Sequence, residues 1–193
     1  KSLIRGFLPS LFILGLFLGA IVLEPDLGAS VMLAVIVYIM WFISGMRLIH
    51  LASLGILFAP LIAIAIIAEP YRILRVMSFL DPFKPELLKG AGWQLAQSLV
   101  SVGTGGLYGL GLGRGPQKYQ FLSEGHTDLI YAGICEEMGL VGGVAIFVIY
   151  AIFMVQGIRV AAKAPDMYGS LIATGITIMI GLQAFVNMYV VLG

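Results

Sequence analysis

The sequence predicts an all-α, polytopic membrane protein with about five transmembrane helices and one long extracytoplasmic loop that contains short interfacial helices. Three observations support this fold class. Of the 193 residues, 60% are hydrophobic and only 11% are charged, a composition too apolar for a soluble domain of this length. Apolar runs of about 20 residues, long enough to cross a bilayer core, recur along the chain. The charged residues are concentrated between these runs.

Five apolar runs are predicted to be the transmembrane helices. The first is not a signal peptide, because Glu24 and Asp26 follow it in place of a small-residue cleavage site. Since the chain begins without a methionine and the last run continues to its end, we interpret residues 1–193 as a single membrane domain within a larger protein. The runs are Gly6 to Leu23, Leu27 to Met46, Leu48 to Ala68, Met138 to Ile158 and Met167 to Gly193.

The basic residues of the short connections predict the orientation of the helices. Those before the first run and in the second and fourth connections are Lys1, Arg5, Arg47, Arg159 and Lys163. Because cytoplasmic loops are enriched in Lys and Arg, these segments are predicted to face the cytoplasm. The connection around Glu24 and the long loop of residues 69–137 then lie on the outer side.

The long loop is predicted to contain turns and short helices, since prolines and glycines interrupt its first section. From Trp93 onwards, Leu95, Leu99 and Val102 recur at helical spacing. This pattern predicts an amphipathic helix that either lies in the membrane interface, with Trp93 as its anchor, or packs on the rest of the loop. The other faces of this helix carry Gln94, Gln97, Ser98 and Ser101.

A glycine-rich stretch follows, with seven glycines between Gly103 and Gly115. Glycine-rich segments can cradle phosphates, but neither nucleotide-binding spacing of glycines occurs here, and no strand pattern precedes the stretch. A nucleotide site is therefore not expected. The glycines instead predict tight turns or the close approach of a ligand or a neighbouring helix.

Ionisable residues collect where the fourth apolar run begins. Thr127 or Asp128 is predicted to cap a helix that continues to about Ile158. A helix of that length is longer than the hydrocarbon core is thick, so its first turns belong in the headgroup layer or a polar cavity. Nothing nearby in sequence neutralises Asp128, so we expect it to be ionised. It is either a plain N-cap or a group that accepts a proton from a bound hydroxyl.

Glu136 and Glu137 lie about two turns deeper, where a carboxylate is costly unless it faces a cavity or a partner. A zinc site is not expected, because His50 and His126 are far apart in sequence and Cys135 is the single cysteine. No cofactor is required by the sequence, although carboxylate oxygens leave open a divalent cation such as Mg²⁺. The cysteine itself is expected to be a buried structural thiol.

Five segments of the chain, in the same order, resemble the SEDS proteins (shape, elongation, division and sporulation). The second and fourth of them are similar to the FtsW branch, including its sporulation relative SpoVE, rather than to the RodA branch. The chain departs from the family pattern where Leu129 and Tyr131 replace two phenylalanines and Trp93 replaces a tyrosine. The segments are EPDLG (24–28), AEPYRILRVMSFLDP (68–82), GWQLAQSL (92–99), GLGLGRGPQK (109–118) and HTD…EEMG (126–139).

The resemblance implies a peptidoglycan glycosyltransferase of the bacterial cytoplasmic membrane. SEDS proteins polymerise lipid II into glycan strands at the outer face of that membrane, together with a class B penicillin-binding protein and other division or sporulation membrane proteins. The essential aspartate of the family falls on Asp128. The substrate-binding residues that we infer with the resemblance are Arg72, Arg75, Gln97, Ser98, Arg114, Lys118, His126 and Thr127, supported by the acidic residues Glu124, Glu136 and Glu137.

Two other classes of function fit parts of the pattern, and nothing suggests a nucleic-acid partner. A transporter of a lipid-linked precursor also needs acids and cations in a cavity, but such groups are expected near the bilayer midplane on broken helices. A non-catalytic scaffold for a division synthase needs only surfaces. The scaffold alternative explains neither Asp128 nor the acids Glu136 and Glu137.

Overall fold

A computed structural model describes residues 7–23, 27–88, 90, 92–115 and 129–193 of the chain. The described residues form α-helices, turns and irregular backbone, without strands. In chain order the helices are α1 (Leu8–Leu23), α2 (Leu27–Ile43), α3 (Leu48–Ile67), α4 (Pro70–Leu80), α5 (Trp93–Gly105), α6 (Ile130–Ala162) and α7 (Met167–Leu192).

Five of these helices coincide with the predicted apolar runs, which confirms the all-α polytopic fold. Helices α3, α6 and α7 are each long and apolar enough to cross a membrane, and α1 and α2 are shorter apolar helices of 16 and 17 residues. Helix α6 begins at Ile130, well before the predicted start of the fourth span at Met138. Large apolar side chains such as Phe17, Ile56 and Phe147 are exposed, as expected for helices solvated by lipid.

The chain divides into two compact units, and each contains its own buried cluster. The first unit comprises residues 1–59 and 154–183, and the second comprises residues 60–153 and 184–193. In the first, Leu14, Trp41, Leu51 and Leu54 of α1, α2 and α3 are buried together. The indole N–H of Trp41 donates to the Ser10 hydroxyl at 3.0 Å, which satisfies a polar group that would otherwise be buried at a cost.

The second unit contains every candidate site residue that the structure describes. Its core joins the beginning of α6 to the end of α7, and its buried members are Leu129, Tyr131, Ala132, Cys135, Met188 and Val191. The predicted burial of the single cysteine is thus confirmed. Phe79 of α4 stacks on Tyr189 of α7 with ring centroids 6.3 Å apart, which ties α4 to the same end of α7.

Helix α5 packs on the end of α7 through a face that includes serines. Leu95, Ala96, Ser98 and Ser101 are all buried. The Ser98 hydroxyl lies 2.8 Å from the Leu95 carbonyl oxygen and 3.1 Å from that of Val191, in the last turn of α7, where carbonyls lack intrahelical partners. The packing alternative therefore describes α5 better than a helix lying free in the interface. Its partners are the end of α7 and residues of the loop, since Gly92 lies against Leu87 and Gly105 lies against Cys135.

Candidate functional site

Helix α6 is broken at Gly139, which the sequence pattern did not predict. Gly139 has φ 67° and ψ −165°, a conformation open to glycine and strongly unfavourable for residues with a side chain. Gly133, Gly142, Gly143 and Gly157 lie in the same helix without a positive φ. A glycine in an apolar helical pattern is thus a weak signal of a break, since most of those in α6 are accommodated in regular helix.

The N–H groups that the break frees are satisfied by residues that follow α5. In a regular helix, Leu140 and Val141 would donate to the carbonyls four residues earlier. Here the Leu140 N–H donates to the Gly106 carbonyl at 2.9 Å, and the Val141 N–H donates to the Leu107 carbonyl at 3.2 Å. We call residues Gly106–Gly111 the glycine segment.

The carbonyl groups that the break frees are satisfied by the same segment. Leu110 donates its N–H to the Glu136 carbonyl, and Gly111 donates its N–H to the Glu137 carbonyl, both at 3.0 Å. The glycine segment therefore supplies four hydrogen bonds to main-chain groups on the two sides of Gly139. These four main-chain groups are bonded within the protein, which suits a position beside the hydrocarbon layer.

Glycine is required where the two backbones meet. Gly109 has φ +79°, and a Cβ added there would collide with the Glu137 carbonyl. A Cβ added to Gly139 would lie 2.5 Å from the Leu107 carbonyl oxygen and collide with the Gly109 nitrogen. The expected close approach of the glycine-rich stretch to a neighbouring helix is thus observed, and the neighbour is α6.

Glu136 is fully buried beside this junction, while Glu137 is half-buried. Gly115 lies against the Glu136 carboxyl group, because a Cβ added to Gly115 would come 2.6 Å from Oε2 and 3.0 Å from Cδ. Burying a carboxyl costs several kcal/mol unless it is compensated, so its retention at this point marks a candidate functional group. Arg114, the neighbour of Gly115, is exposed.

The two arginines of α4 differ in their surroundings. Arg72 is half-buried, and its Nη1 donates to the Ala65 carbonyl at 2.6 Å. Ala65 is in the last turn of α3, so the Arg72 guanidinium caps that helix. Arg75 is exposed, like Arg114. The cations available to an external ligand among the described candidates are therefore Arg75 and Arg114.

The two candidates on α5 are set differently in the helix. Gln97 is half-buried, and its main-chain carbonyl accepts a hydrogen bond from the Ser101 hydroxyl at 3.0 Å. Ser98 has no exposed surface, and its hydroxyl is used to join α5 to α7.

In the described residues no group of three or more His, Cys, Asp or Glu side chains is placed to hold a metal ion, so the divalent cation stays a prediction.

Five candidates lie outside the described residues: Lys118, Glu124, His126, Thr127 and Asp128. Their roles, including the cap predicted at Thr127 or Asp128, stay predictions. The chain is described again from Leu129, which is buried and whose carbonyl accepts the Ala132 N–H at 3.0 Å. Helix α6 starts at Ile130, two residues after Asp128 in the chain.

The chain is similar in sequence to a family of known proteins. The family model for FtsW, RodA and SpoVE, described as cell cycle protein, matches residues 1–193. The chain is 40% identical over 189 residues to stage V sporulation protein E of Bacillus subtilis (strain 168), covering 98% of this chain and 51% of that protein. It is 38% identical over 193 residues to a probable peptidoglycan glycosyltransferase FtsW of Geobacter sp. (strain M18), covering 100% and 52%.

A probable peptidoglycan glycosyltransferase FtsW of Marinobacter nauticus (strain ATCC 700491 / DSM 11845 / VT8) is 43% identical over 191 residues, covering 97% of this chain and 47% of that protein. The chain thus spans about half the length of the curated relatives it matches. Since the family model covers the whole chain and the described fold is a set of apolar helices, the chain belongs to the FtsW/RodA/SpoVE family of multi-pass membrane proteins.

Proposed function

We propose that the full-length protein polymerises lipid II into glycan strands at the outer face of the bacterial cytoplasmic membrane, in cell division or sporulation. The observation that carries the proposal is the buried Glu136 at the broken, acidic end of α6. This end follows Asp128 directly in the chain, and the exposed Arg114 is next to the glycine that touches Glu136. Acids and cations at one end of a membrane helix suit a lipid-linked pyrophosphate sugar and a sugar hydroxyl.

Asp128 is the proposed general base. Its carboxylate takes the proton from the acceptor sugar hydroxyl as that oxygen attacks the anomeric carbon of the donor. The bond from the anomeric carbon to the pyrophosphate oxygen breaks, and the polyprenyl pyrophosphate leaves with the electron pair. His126 and Thr127, its neighbours in sequence, are proposed to contact the same sugar. Glu124, Glu136 and Glu137 are proposed to support the site.

The pyrophosphate requires cations, for which arginine offers paired hydrogen bonds. Arg75 and Arg114 are the better candidates because both are exposed, whereas Arg72 is used to cap α3. Lys118 and Gln97 are proposed as further polar contacts. Ser98 has the weakest case as a ligand, because its hydroxyl is buried and already bonded.

The proposed partners follow from the same reaction. The growing glycan strand is one substrate, and a class B penicillin-binding protein and other division or sporulation membrane proteins are the proposed protein partners. A divalent cation such as Mg²⁺ is proposed only as an aid to the pyrophosphate or the acids. Titration with a chelator, followed by restoration with Mg²⁺, tests that requirement.

One observation favours the transporter alternative, since broken helices with nearby acids are typical of transporters. The position of the break argues against it. The part of α6 from Leu140 to Ala162 is about 34 Å long, at about 1.5 Å per residue, and alone crosses a hydrocarbon core of about 30 Å. Since Arg159 in the last turn of α6 is predicted to face the cytoplasm, the break is expected at the outer edge of the core rather than at its midplane.

The test uses the full-length protein, purified with its class B partner and given lipid II. We expect glycan strands that a muramidase degrades. Proteoliposomes loaded with fluorescent lipid II measure transport in the same preparation. Transbilayer movement of lipid II without polymerisation would support the transporter, and the absence of both activities in a well-folded complex would support the scaffold.

A further inference from the structure

We propose that the glycine segment is a positioning element: it holds α6 open at Gly139 and thereby fixes the direction of the acidic end that carries Glu136. This inference rests on the proposed function for its activity measurement. Its structural part stands on the hydrogen bonds and close approaches at the junction. None of the glycines concerned is itself proposed to touch substrate.

The break depends on the segment because a continuous helix is available as an alternative. Without the segment, the N–H groups of Leu140 and Val141 can return to the carbonyls of Glu136 and Glu137 and complete a regular helix. With the segment in place, all four groups are bonded to it instead. The segment and the continuous helix therefore compete for the same main-chain groups.

Gly109 and Gly139 determine whether the junction with the glycine segment or the continuous helix forms. They face each other, since a Cβ added to Gly139 would collide with the Gly109 nitrogen. Both have positive φ, at +79° and +67°, so alanine is strained at either position for steric reasons and by conformation. Alanine at residue 139 favours the continuous helix, in which it is the most favourable residue.

When the junction is lost, the part of α6 before Gly139 changes direction, although little helical structure is lost. When residue 139 moves from positive φ to helical φ, the residues before it rotate relative to those after it. Glu136 and the helix start then leave their places beside Gly115. Since a misplacement of about 1 Å can reduce a catalysed rate by about 10²-fold, a folded but weakly active protein is expected.

The experiment compares Gly109→Ala, Gly139→Ala and the double substitution in the full-length protein, with Gly133→Ala as the matched control. Gly133 lies in the same helix with no neighbouring atom within 4 Å of an added Cβ and no positive φ. We expect each single substitution to lower the polymerisation rate by about 10²-fold. The double substitution should lower it no further, because one junction is lost in all three variants. The control should be within a few-fold of the parent.

Hydrogen exchange of the same variants gives a measurement that does not depend on activity. In Gly139→Ala, the amides of Leu110 and Gly111 should lose protection, while those of Leu140 and Val141 keep it within the continuous helix. A general loss of structure would expose all four amides. Retained protection at residues 110 and 111, exposure of all four amides, or rate losses that multiply in the double variant, would overturn the proposal. If the parent protein does not polymerise lipid II, the proposed function fails, and hydrogen exchange alone decides whether the segment holds the break.

Discussion

Arg72 and Arg75 lie three residues apart on α4, and their environments separate a helix-capping role from a ligand-binding one. The Arg72 guanidinium donates to the Ala65 carbonyl at the end of α3, where a cation also interacts favourably with the helix dipole. The Arg75 side chain is exposed. In sequence both arginines look alike as phosphate ligands, because the contact to Ala65 depends on the turn between α3 and α4.

We expect Arg72→Gln to reduce stability and Arg75→Gln to reduce use of the lipid donor. The first should lower the free energy of unfolding by roughly 1.5 to 3 kcal/mol, the usual worth of a hydrogen bond to a charged group. The second should leave thermal stability unchanged and weaken use of the lipid donor. Thermal melting and donor titration of the two variants check this. Unchanged donor use in Arg75→Gln would remove that residue from the proposed site.

At the scale of elements, the helices followed from hydropathy, and the contacts between them did not. The apolar runs predicted α1, α2, α3 and α7 closely, since about 20 apolar residues without charge have few alternatives in a membrane. The break in α6 was missed because it needs a partner 30 or so positions away in sequence, the glycine segment, and no local pattern reports such pairing.

Helix α5 shows the same limit. Its spacing of leucines predicted a helix, and the helix is present as Trp93–Gly105. The burial of Ser98 was not predictable, because the acceptor at Val191 is supplied by the end of α7. Polar residues on a helix are expected to face water only when no neighbouring carbonyl needs a donor.

Ser98→Ala should therefore destabilise the protein with little effect on donor affinity. The expected loss is about 0.5 to 1.5 kcal/mol for the hydrogen bond, with Ser53→Ala as the control. Ser53 is exposed, and its hydroxyl donates to the His50 carbonyl of its own helix at 2.9 Å, so its removal should cost less. Weakened donor binding at unchanged stability in Ser98→Ala would instead support the ligand role first inferred from sequence.

At the scale of the whole molecule, the charge pattern predicts that the long loop of residues 69–137 lies outside and the connection from Arg159 to Lys163 lies in the cytoplasm. Cysteines substituted at Lys84 and Lys163 in the full-length protein should be labelled from opposite sides of the membrane. The single native cysteine, Cys135, is buried, which keeps the background low. Labelling of both positions from one side would show that the predicted orientation is wrong.

The central claim is that Asp128 is the base of a lipid II polymerase, and its replacement by Asn tests it most directly. Asn caps a helix about as well as Asp but cannot take the proton, so a capping role alone predicts near-normal activity. Asp166 provides a matched control, because its Oδ2 accepts the Gly169 N–H at 2.9 Å at the start of α7, in the connection predicted to be cytoplasmic.

The measurement is the rate of glycan-strand formation from lipid II by full-length Asp128→Asn and Asp166→Asn proteins, each bound to the class B partner and checked for folding. We predict that Asp128→Asn lowers the rate by about 10² to 10⁴-fold and that Asp166→Asn stays within a few-fold of the parent. A rate for Asp128→Asn within a few-fold of the parent would contradict the account.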